Sequence, residues 1–488
     1  MAELHGVETI ELASGSVAVT TIQTAIIGLV GTAPDAAGAV AATAASGSPL
    51  TDNQIIFRAA EAGSSGNFIT VNATPAEFDP ASPAAIESRA TWSDGSLTLI
   101  LGCNEQGDLV ATARELVDLI NDIEKTGVTA VGSGAGVVMP FTLTLEGGAD
   151  EPFPLYTPVA VVGTTQNTRL GQAGTLYQAL QDINDQRNAL SVVVRIAEAM
   201  DSEQQRANIL QGINALAASR TVTTYQPRIL IAPGFSEDDS VGKSLETMAG
   251  KLRAVTYVDC AAGASLQVVV QRRQMYGART ELLRPRVLAT DANGRNVYRA
   301  YSAFAAGLRA RIDYERGWWW SKSNQDINNI LGVEQIDEFI LGDENCDANL
   351  LNMQNVSTII RRAGFKHWGN RLCATDPQWR FESVRRTADV IEDSIQETML
   401  EYVDRPLDAE NAEDIIQTIN AYMRQLKKLG AIFGGRAWLD EELNTAETLA
   451  AGVLFINYDF GPKSPTERIS LRVRVNNNYA LEELGVAA

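Results

Sequence analysis

The chain has 488 residues, of which 45% are hydrophobic and 20% charged, and 60 acidic against 40 basic residues give it a net charge of −20. That length exceeds the roughly 250–300 residues that one hydrophobic core serves, so several domains are expected. The acidic balance argues against binding to a nucleic-acid backbone, which needs clustered basic residues. No apolar run approaches the roughly 20 residues that cross a bilayer, and the N-terminus lacks the basic and apolar regions of a secretory signal. We therefore expect synthesis in a cytoplasm and no membrane insertion.

Metal and cofactor chemistry has few candidate residues. The cysteines are far apart and form no CxxC pair: Cys103, Cys260, Cys346 and Cys373. The histidines are His5 and His367. A zinc site of Cys and His and histidine-based catalysis are therefore not expected, and no cofactor is predicted. We expect buried free thiols. Disulfides are the alternative, because cysteines kept reduced in the cytosol can oxidise once the assembled protein leaves it.

The first 36 residues predict an extended arm. Residues 16–31 begin with loose apolar alternation and end in the continuous apolar run Ala25 to Val30. This pattern is typical of an arm that leads into a buried strand. A terminal strand of this kind completes its own sheet or pairs with the edge of a neighbour's sheet.

Residues 37–152 predict a small α+β domain inserted into the main body. A helix is expected over 111–125, where Leu116, Leu119, Ile120 and Ile123 follow helical spacing. Short strands separated by turn residues are expected at 53–60, 67–74, 96–102 and 141–148. The glycine-rich run 132–136 lacks the Lys-Ser/Thr pair of a phosphate loop, so we expect a turn there.

Residues 153–377 predict an α/β body. Apolar strands alternate with helices, which is typical of βαβ units with a largely parallel sheet covered on both faces. The run 231–236 lies between a strand and a helix, where α/β enzymes place ligand sites. Neither GxGxxG nor GxSxG accompanies it, so we expect a simple turn.

Three adjacent tryptophans, Trp318 to Trp320, follow in the body. Neighbouring side chains diverge, so a regular helix or strand cannot direct all three into one core. We expect at least one at a domain or subunit interface, with an irregular internal core as the alternative.

Residues 378–488 predict a C-terminal α+β domain. Helices are expected near 379–403 and 408–429; the second has an acidic start and a basic end followed by Gly430, which suits the helix dipole and the C-cap. Strands are expected over 452–462 and 469–478. In the last strand Ile469, Leu471, Val473 and Val475 alternate with polar residues, which predicts an amphipathic strand near the C-terminus.

Several of these stretches resemble the tail sheath family of contractile phages, most closely its temperate myophage branch. The order and spacing of the matching stretches agree over 1–36 and 153–488. They include YQPRILIAPG, AFAAGLRARIDYERGWW, NVSTIIRRAGFKHWGNRLCATDP, FESVRRTADVIEDSI, LKKLGAIFGGRAW and INYDFGPKSPTERISLRVRVNNNY. Residues 37–152 depart from the pattern and resemble accessory domains that some sheath proteins carry on their outer surface.

The resemblance implies a structural virion protein that is not an enzyme and is assembled in the host cytoplasm. Sheath subunits stack as hexameric rings around the inner tail tube, between a baseplate and a tail terminator. The rings form a metastable extended polymer whose contraction drives the tube through the host envelope for genome ejection. The partners implied are other copies of the chain, the tail tube protein, and the baseplate and terminator proteins.

The resemblance also assigns roles to residues. Both terminal arms are implied to add strands to the sheets of neighbouring subunits. In the N-terminal arm these residues are Val17, Val19, Thr21, Ile22 and Thr24, and in the C-terminal arm Ile469, Leu471, Val473 and Val475. Candidates for facing the tube are Arg385, Arg386, Lys427 and Lys428, with ordinary solvent-facing helix positions as the alternative.

Other functions stay open at this point. The sheath of a phage-derived bacteriocin or another contractile injection system is a close variant. An α/β enzyme or nucleotide-binding protein needs a catalytic or phosphate-binding set, which the sequence does not supply. A monomeric scaffold protein is the third class.

Overall fold

The computed structural model describes residues 18–36, 38–164, 169–291 and 293–485. Within these residues the chain divides into two compact units. The larger unit comprises residues 23–315 and 322–374, and the smaller comprises residues 18–22, 316–321 and 375–485. The predicted boundary at residue 377 lies close to this division, while the finer four-part division of the chain stays a prediction.

The segment that follows the first strand of the larger unit has its own hydrophobic core. The main chain of Val40 and of Ala149 exchanges two hydrogen bonds, of 2.8 and 2.9 Å, which hold the two ends of this segment together. It contains two sheets, of order β2-β3-β7 and β5-β6-β4-β8. The elements to this point are β1 (Ile27–Thr32), β2 (Thr43–Ser46), β3 (Ile55–Ala59), β4 (Thr70–Pro75), β5 (Arg89–Ser93), β6 (Ser96–Leu101), α1 (Ala113–Asn121), β7 (Val128–Val131) and β8 (Phe141–Thr144).

The predicted helix and turn of this segment are confirmed. Helix α1 buries Leu116 and Ile120 in the segment's core. The glycine-rich run 132–136 wraps around Asp52, whose main-chain oxygen accepts from the Gly136 N–H at 2.8 Å. A Cβ atom at Gly134 would lie 1.8 Å from that same oxygen, so the close approach requires glycine. Strands β2, β5 and β7 were not predicted.

The body of the larger unit alternates strands and helices as predicted. Its elements are β9 (Pro158–Val162), α2 (Leu176–Gln186), β10 (Leu190–Ile196), α3 (Ser202–Ala215), α4 (Ser219–Thr223), β11 (Ile229–Ile231), α5 (Asp239–Lys251), β12 (Val255–Asp259), α6 (Leu266–Arg273), β13 (Thr280–Leu283), β14 (Val287–Thr290), β15 (Asn296–Arg299), α7 (Tyr301–Glu315), β16 (Gln325–Asp326), β17 (Gly332–Val333), α8 (Asp347–Met353), β18 (Val356–Arg361) and β19 (Phe365–Trp368).

A nine-stranded sheet of order β16-β19-β18-β13-β12-β11-β1-β10-β9 forms the centre of this body. Its six central strands, from β18 to β10, run parallel, and β9, β19 and β16 are antiparallel additions at the two edges. Strands β14, β15 and β17 form a separate small sheet. The prediction of a largely parallel sheet is therefore confirmed.

Both faces of the nine-stranded sheet are covered. Along β1, Ile27 and Leu29 point into a core that includes residues of α2 and α7, while Val30 points into a second core that includes residues of α3 and α5. Successive residues of a strand face opposite sides of the sheet, so one continuous apolar run supplies both cores.

The smaller unit contains the C-terminal helices and a two-stranded sheet. Its elements are α9 (Glu382–Met399), α10 (Ala409–Leu429), β20 (Ile432–Leu439), α11 (Ala446–Ala450), β21 (Ile456–Pro462) and α12 (Asn478–Glu483). Helix α10 begins at Asp408, whose side chain accepts from the Asn411 N–H at 2.8 Å, and ends at Gly430 in the left-handed conformation (φ 86°). The C-cap at Gly430 is confirmed, whereas the N-cap role of Asp408 was not predicted.

The core of the smaller unit is completed by distant parts of the chain. The apolar faces of α9 and α10 surround Trp318 and Val19, both of which are buried. Trp319 packs against the same core, with its ring 4.7 Å from that of Trp318 in an edge-to-face arrangement. The tryptophan run therefore belongs to the smaller unit, whereas the sequence placed it in the body.

Candidate subunit interface

The C-terminal arm is an uncovered apolar ribbon. Residues 463–476 form neither helix nor strand in the chain by itself. The four alternating apolar side chains of the arm are between 76% and 90% exposed: Ile469, Leu471, Val473 and Val475. A strand needs a partner for its main-chain groups, and four uncovered side chains on one face need a surface to cover them. The arm thus has the pattern of a strand that pairs with no other strand among the residues that the structure describes.

The N-terminal arm is different, because its described part is anchored. Val19 is buried in the core of the smaller unit, and Ile22 packs against that core. The Thr21 hydroxyl lies 3.2 Å from the hydroxyl of Tyr422 on α10, and the Ile22 N–H donates to Ser394 Oγ on α9 at 3.1 Å. Thr24 is half-buried. Val17 lies outside the described residues, and strand exchange by this arm stays a prediction.

Strands β20 and β21 form the antiparallel sheet of the smaller unit. Ala437 is paired with Tyr458, and Arg436 with Asp459. No other strand of the described residues joins this sheet. A lone two-stranded sheet presents two edges, which is the usual way for a sheet to accept a strand from another chain.

The four candidates for facing the tube fall into two pairs. Lys427 and Lys428 are exposed in the last turn of α10. Arg386 is buried, and Arg385 donates to Asp389 at 3.0 Å while its guanidinium lies 4.0 Å from the centre of the Trp379 ring. Of these four residues, therefore, only Lys427 and Lys428 have charges that a partner protein could contact directly.

The cysteines are all buried and free, so the structure shows thiols and not disulfides. Burial raises the pKa of the Cys260 and Cys373 thiols to about 12. A thiol with such a pKa is protonated at neutral pH and is a poor nucleophile.

A buried ionic network that the sequence did not reveal lies in the nine-stranded sheet. Glu281 on β13 pairs with Lys322, accepts from the Ser357 hydroxyl at 2.7 Å and lies 3.2 Å from His367 Nε2. Tyr301 contacts the other ring nitrogen of His367. Burial by itself would raise the pKa of Glu281, but the charges and hydrogen bonds of Lys322 and His367 outweigh it and lower the pKa to about 2.

This network has no access for a substrate. Glu281, Lys322 and His367 are fully buried, so His367 is a hydrogen-bonded core histidine. A second buried carboxylate, Asp259, accepts hydrogen bonds from the hydroxyl groups of Ser236 and Ser302 at 2.9 and 2.6 Å. Ser236 lies in the turn that follows β11. Its polar atoms are satisfied within the fold.

Two general findings bear on function. In the part of the chain that the structure describes, no helix is long and apolar enough to span a membrane. Among the same residues, no group of three His, Cys, Asp or Glu side chains could hold a metal ion.

Solved structures with a similar fold come from contractile injection machines. The helical sheath of the anti-feeding prophage in its contracted state matches with a TM-score of 0.53 and 18% identity, over 67% of this chain and 91% of that chain. A chain of the contracted baseplate of the same particle matches with a TM-score of 0.55 and 18% identity, over 69% of this chain and 97% of that chain. The fold is thus that of sheath and baseplate chains of contractile systems.

The sequence comparisons narrow this class to a family. Residues 197–371 match the phage tail sheath protein central domain, and residues 374–476 match the phage tail sheath C-terminal domain. The tail sheath protein of Escherichia phage P2 is 34% identical in an alignment of 371 positions that covers 72% of this chain and 93% of that protein. The tail sheath protein of Burkholderia phage BcepMu is 31% identical in an alignment of 510 positions that covers 98% of each chain.

The chain belongs to the phage tail sheath family and is a structural subunit of a contractile tail. The relatives named above are tail sheath proteins. The resemblance found in the sequence is thereby confirmed.

Proposed function

We propose that this chain polymerises as stacked hexameric rings around a tail tube, in a metastable extended state that contracts to drive the tube through the host envelope for genome ejection. The observation that carries the proposal is the C-terminal arm, with four apolar side chains alternating along an uncovered segment. A partner strand from another copy would cover these side chains and pair the main chain of the arm.

Strand exchange explains how a polymer changes shape without losing its connections. Main-chain ladders between copies hold the subunits together while their bodies rotate and slide as rigid units. The β20–β21 sheet is the proposed acceptor, because it lies in the smaller unit and has two strands. No nucleotide is needed, since contraction releases the energy stored when the extended polymer was assembled.

The N-terminal arm has a modified role in this proposal. Val19 and Ile22 are held against α9 and α10 of their own chain, so the described part of the arm is anchored within its own subunit. Removing residues 1–17, which lie outside the described residues, tests strand exchange by this arm, whereas removing residues 1–24 would also take Val19 out of the core.

The surface that faces the tail tube and the position of the segment between β1 and β9 are also part of the proposal. Lys427 and Lys428 are the proposed tube-facing pair, because their charges are exposed. The segment between β1 and β9 is proposed to lie on the outer surface, which is supported by its own core and by the joined ends at Val40 and Ala149. A relative that matches over 93% of its own length but only 72% of this chain is consistent with an added domain.

The test is negative-stain electron microscopy of the full chain, of the chain without residues 469–488, and of the chain without residues 1–17. Hollow striated tubes from the full chain and monodisperse folded protein from both truncated chains are expected. Regular tubes from the chain without residues 469–488 would refute strand exchange by the C-terminal arm. Globular particles from the full chain at every concentration would refute self-assembly without a template.

The sheath of a bacteriocin or of another injection particle is the second candidate. The fold match to the sheath of the anti-feeding prophage favours it. The presence or absence of capsid genes beside the coding gene separates the two.

A further inference from the structure

The two ends of the parallel strands in the larger unit carry opposite charges. In a parallel sheet, the connections that leave the carboxyl ends of the strands share one edge, and those that enter the amino ends share the opposite edge. After β10 and β11, residues 197–203 and 232–239 include acidic residues and no basic ones. Before β11, β12 and β13, residues 216–228, 251–254 and 274–279 include basic residues and no acidic ones.

The acidic edge lies at the carboxyl ends. Three exposed carboxylates and one half-buried carboxylate make it up: Glu198, Asp201 and Glu203, and Glu237, respectively. The charges of Asp238 and Asp239 are matched within the chain, since Arg206 and Arg272 each lie 2.8 Å from one of them. The starts of α3 and α5 each add about half a positive charge, which offsets about one of the four carboxylates. The acidic edge therefore keeps a negative charge.

The basic edge lies at the amino ends. Two exposed side chains and two half-buried ones make it up: Arg220 and Lys251, and Arg253 and Arg279, respectively. Two of the connections are joined directly, because Arg279 Nη1 donates to the main-chain oxygen of Ala254 at 3.3 Å. Glu246 also approaches this edge, but its carboxylate pairs with Lys243 at 3.0 Å. The basic edge therefore keeps a positive charge.

The two edges are too far apart to neutralise each other within one copy. Strand β10 is seven residues long, so at about 3.3 Å per residue the edges are about 20 Å apart. Salt screens exposed charges beyond about 10 Å at 0.1 M. Each edge therefore attracts an oppositely charged surface from outside the copy that carries it.

We infer that neighbouring copies in the polymer pack head to tail, with the acidic edge of one larger unit against the basic edge of the next. A contact between two different surfaces of one chain repeats from copy to copy, as a helical polymer requires. Opposite charges on the two surfaces favour this orientation, and like charges disfavour contacts between two equal edges. The inference rests on the polymer of the proposed function and adds a contact between larger units to the exchange of arms.

Reversing one charge on each edge of the full-length chain tests the contact. Glu198→Lys and Lys251→Glu change exposed side chains, so both variants should keep the thermal stability of the unaltered chain. Each variant should raise the protein concentration needed for tubes about three- to tenfold, because an exposed attraction becomes a repulsion. The increase should shrink at about 0.5 M salt. Tubes are measured as the fraction that pellets and are identified by electron microscopy.

A mixture of the two variants shows whether the charges meet between copies. When the variants alternate, every junction joins either two unaltered charges or two reversed ones. An equal mixture should therefore form tubes at the concentration that suffices for the unaltered chain. A mixture that assembles no better than either variant by itself would overturn the inference.

The matched controls lie in the segment between β1 and β9. Glu105→Lys and Arg114→Glu make the same charge changes at exposed positions and should leave tube formation unchanged. Edge variants that assemble as well as these controls would refute the contact between edges while the unaltered chain still forms tubes. Absence of tubes from the unaltered chain would refute the proposed function, and this inference with it.

Discussion

Placing charges on the apolar face of the C-terminal arm should abolish tube formation. The double variant Leu471→Asp, Val473→Asp changes two side chains that are 89% and 90% exposed in the chain by itself. Since neither side chain is covered, the subunit should fold with unchanged thermal stability. The loss should be confined to contacts between copies.

The expected magnitude follows from the area that strand addition would cover. Fully burying a Leu or Val side chain contributes about 1.5–3 kcal/mol, so the two residues together contribute about 3–6 kcal/mol at each junction. Each 1.4 kcal/mol corresponds to a factor of about ten in an association constant. The concentration needed for tubes should therefore rise by about 10² to 10⁴.

The assay is sedimentation of a concentration series, with electron microscopy of the pellets. Leu50→Asp is the control: Leu50 is 97% exposed in the segment between β1 and β9, which is proposed to face outward. Tubes from Leu50→Asp together with soluble subunits from the double variant support the proposal. Tubes from the double variant at the concentration that suffices for the unaltered chain would refute the reasoning.

Three further predictions follow from the buried groups and the extra segment. Lys322→Met leaves the Glu281 carboxylate buried without its partner, so urea unfolding of the larger unit should show a loss of about 3–5 kcal/mol at pH 7. Folding lowers the pKa of Glu281 from 4.5 to about 2, so the stabilisation from this carboxylate is complete above pH 4.5 and is lost as the pH falls toward 2. The difference in unfolding free energy between the Lys322→Met variant and the unaltered chain should therefore shrink between pH 4.5 and pH 2. A difference that stays constant over this window would contradict the assignment. A thiol reagent should label none of the buried cysteines, Cys260 and Cys373 included, until the chain is unfolded, and rapid labelling of the native chain would contradict their burial. Replacing residues 41–148 by a short flexible linker should leave tubes of smaller outer diameter, whereas loss of tubes would show that the segment takes part in assembly.

The local pattern of the sequence was enough for much of the fold. The alternation of strands and helices predicted the parallel sheet, and Gly430 after the basic end of α10 predicted its C-cap. These features depend on residues close together in the chain, where periodicity and capping preferences act directly. The order of the strands was not predictable in the same way, since β1 lies at the centre of the sheet between β10 and β11.

The interactions that join distant residues could not be predicted. Glu281, Lys322 and His367 are each separated by more than forty residues, and no periodic signal relates them. Val19 looked like part of a donated strand because it is apolar in a β-branched run, but the core of the smaller unit needs it. The alternation from Ile469 to Val475 was visible in the sequence, because it depends only on residues close together in the chain.

A cryo-EM structure of tubes grown from the full chain tests the central claim most directly, since it shows which residues lie beside the β20–β21 sheet. The account predicts residues 469–475 of a second copy as an added strand on that sheet, with Leu471 and Val473 covered. Tubes in which this arm remains in solvent, or packs only on its own chain, would contradict it.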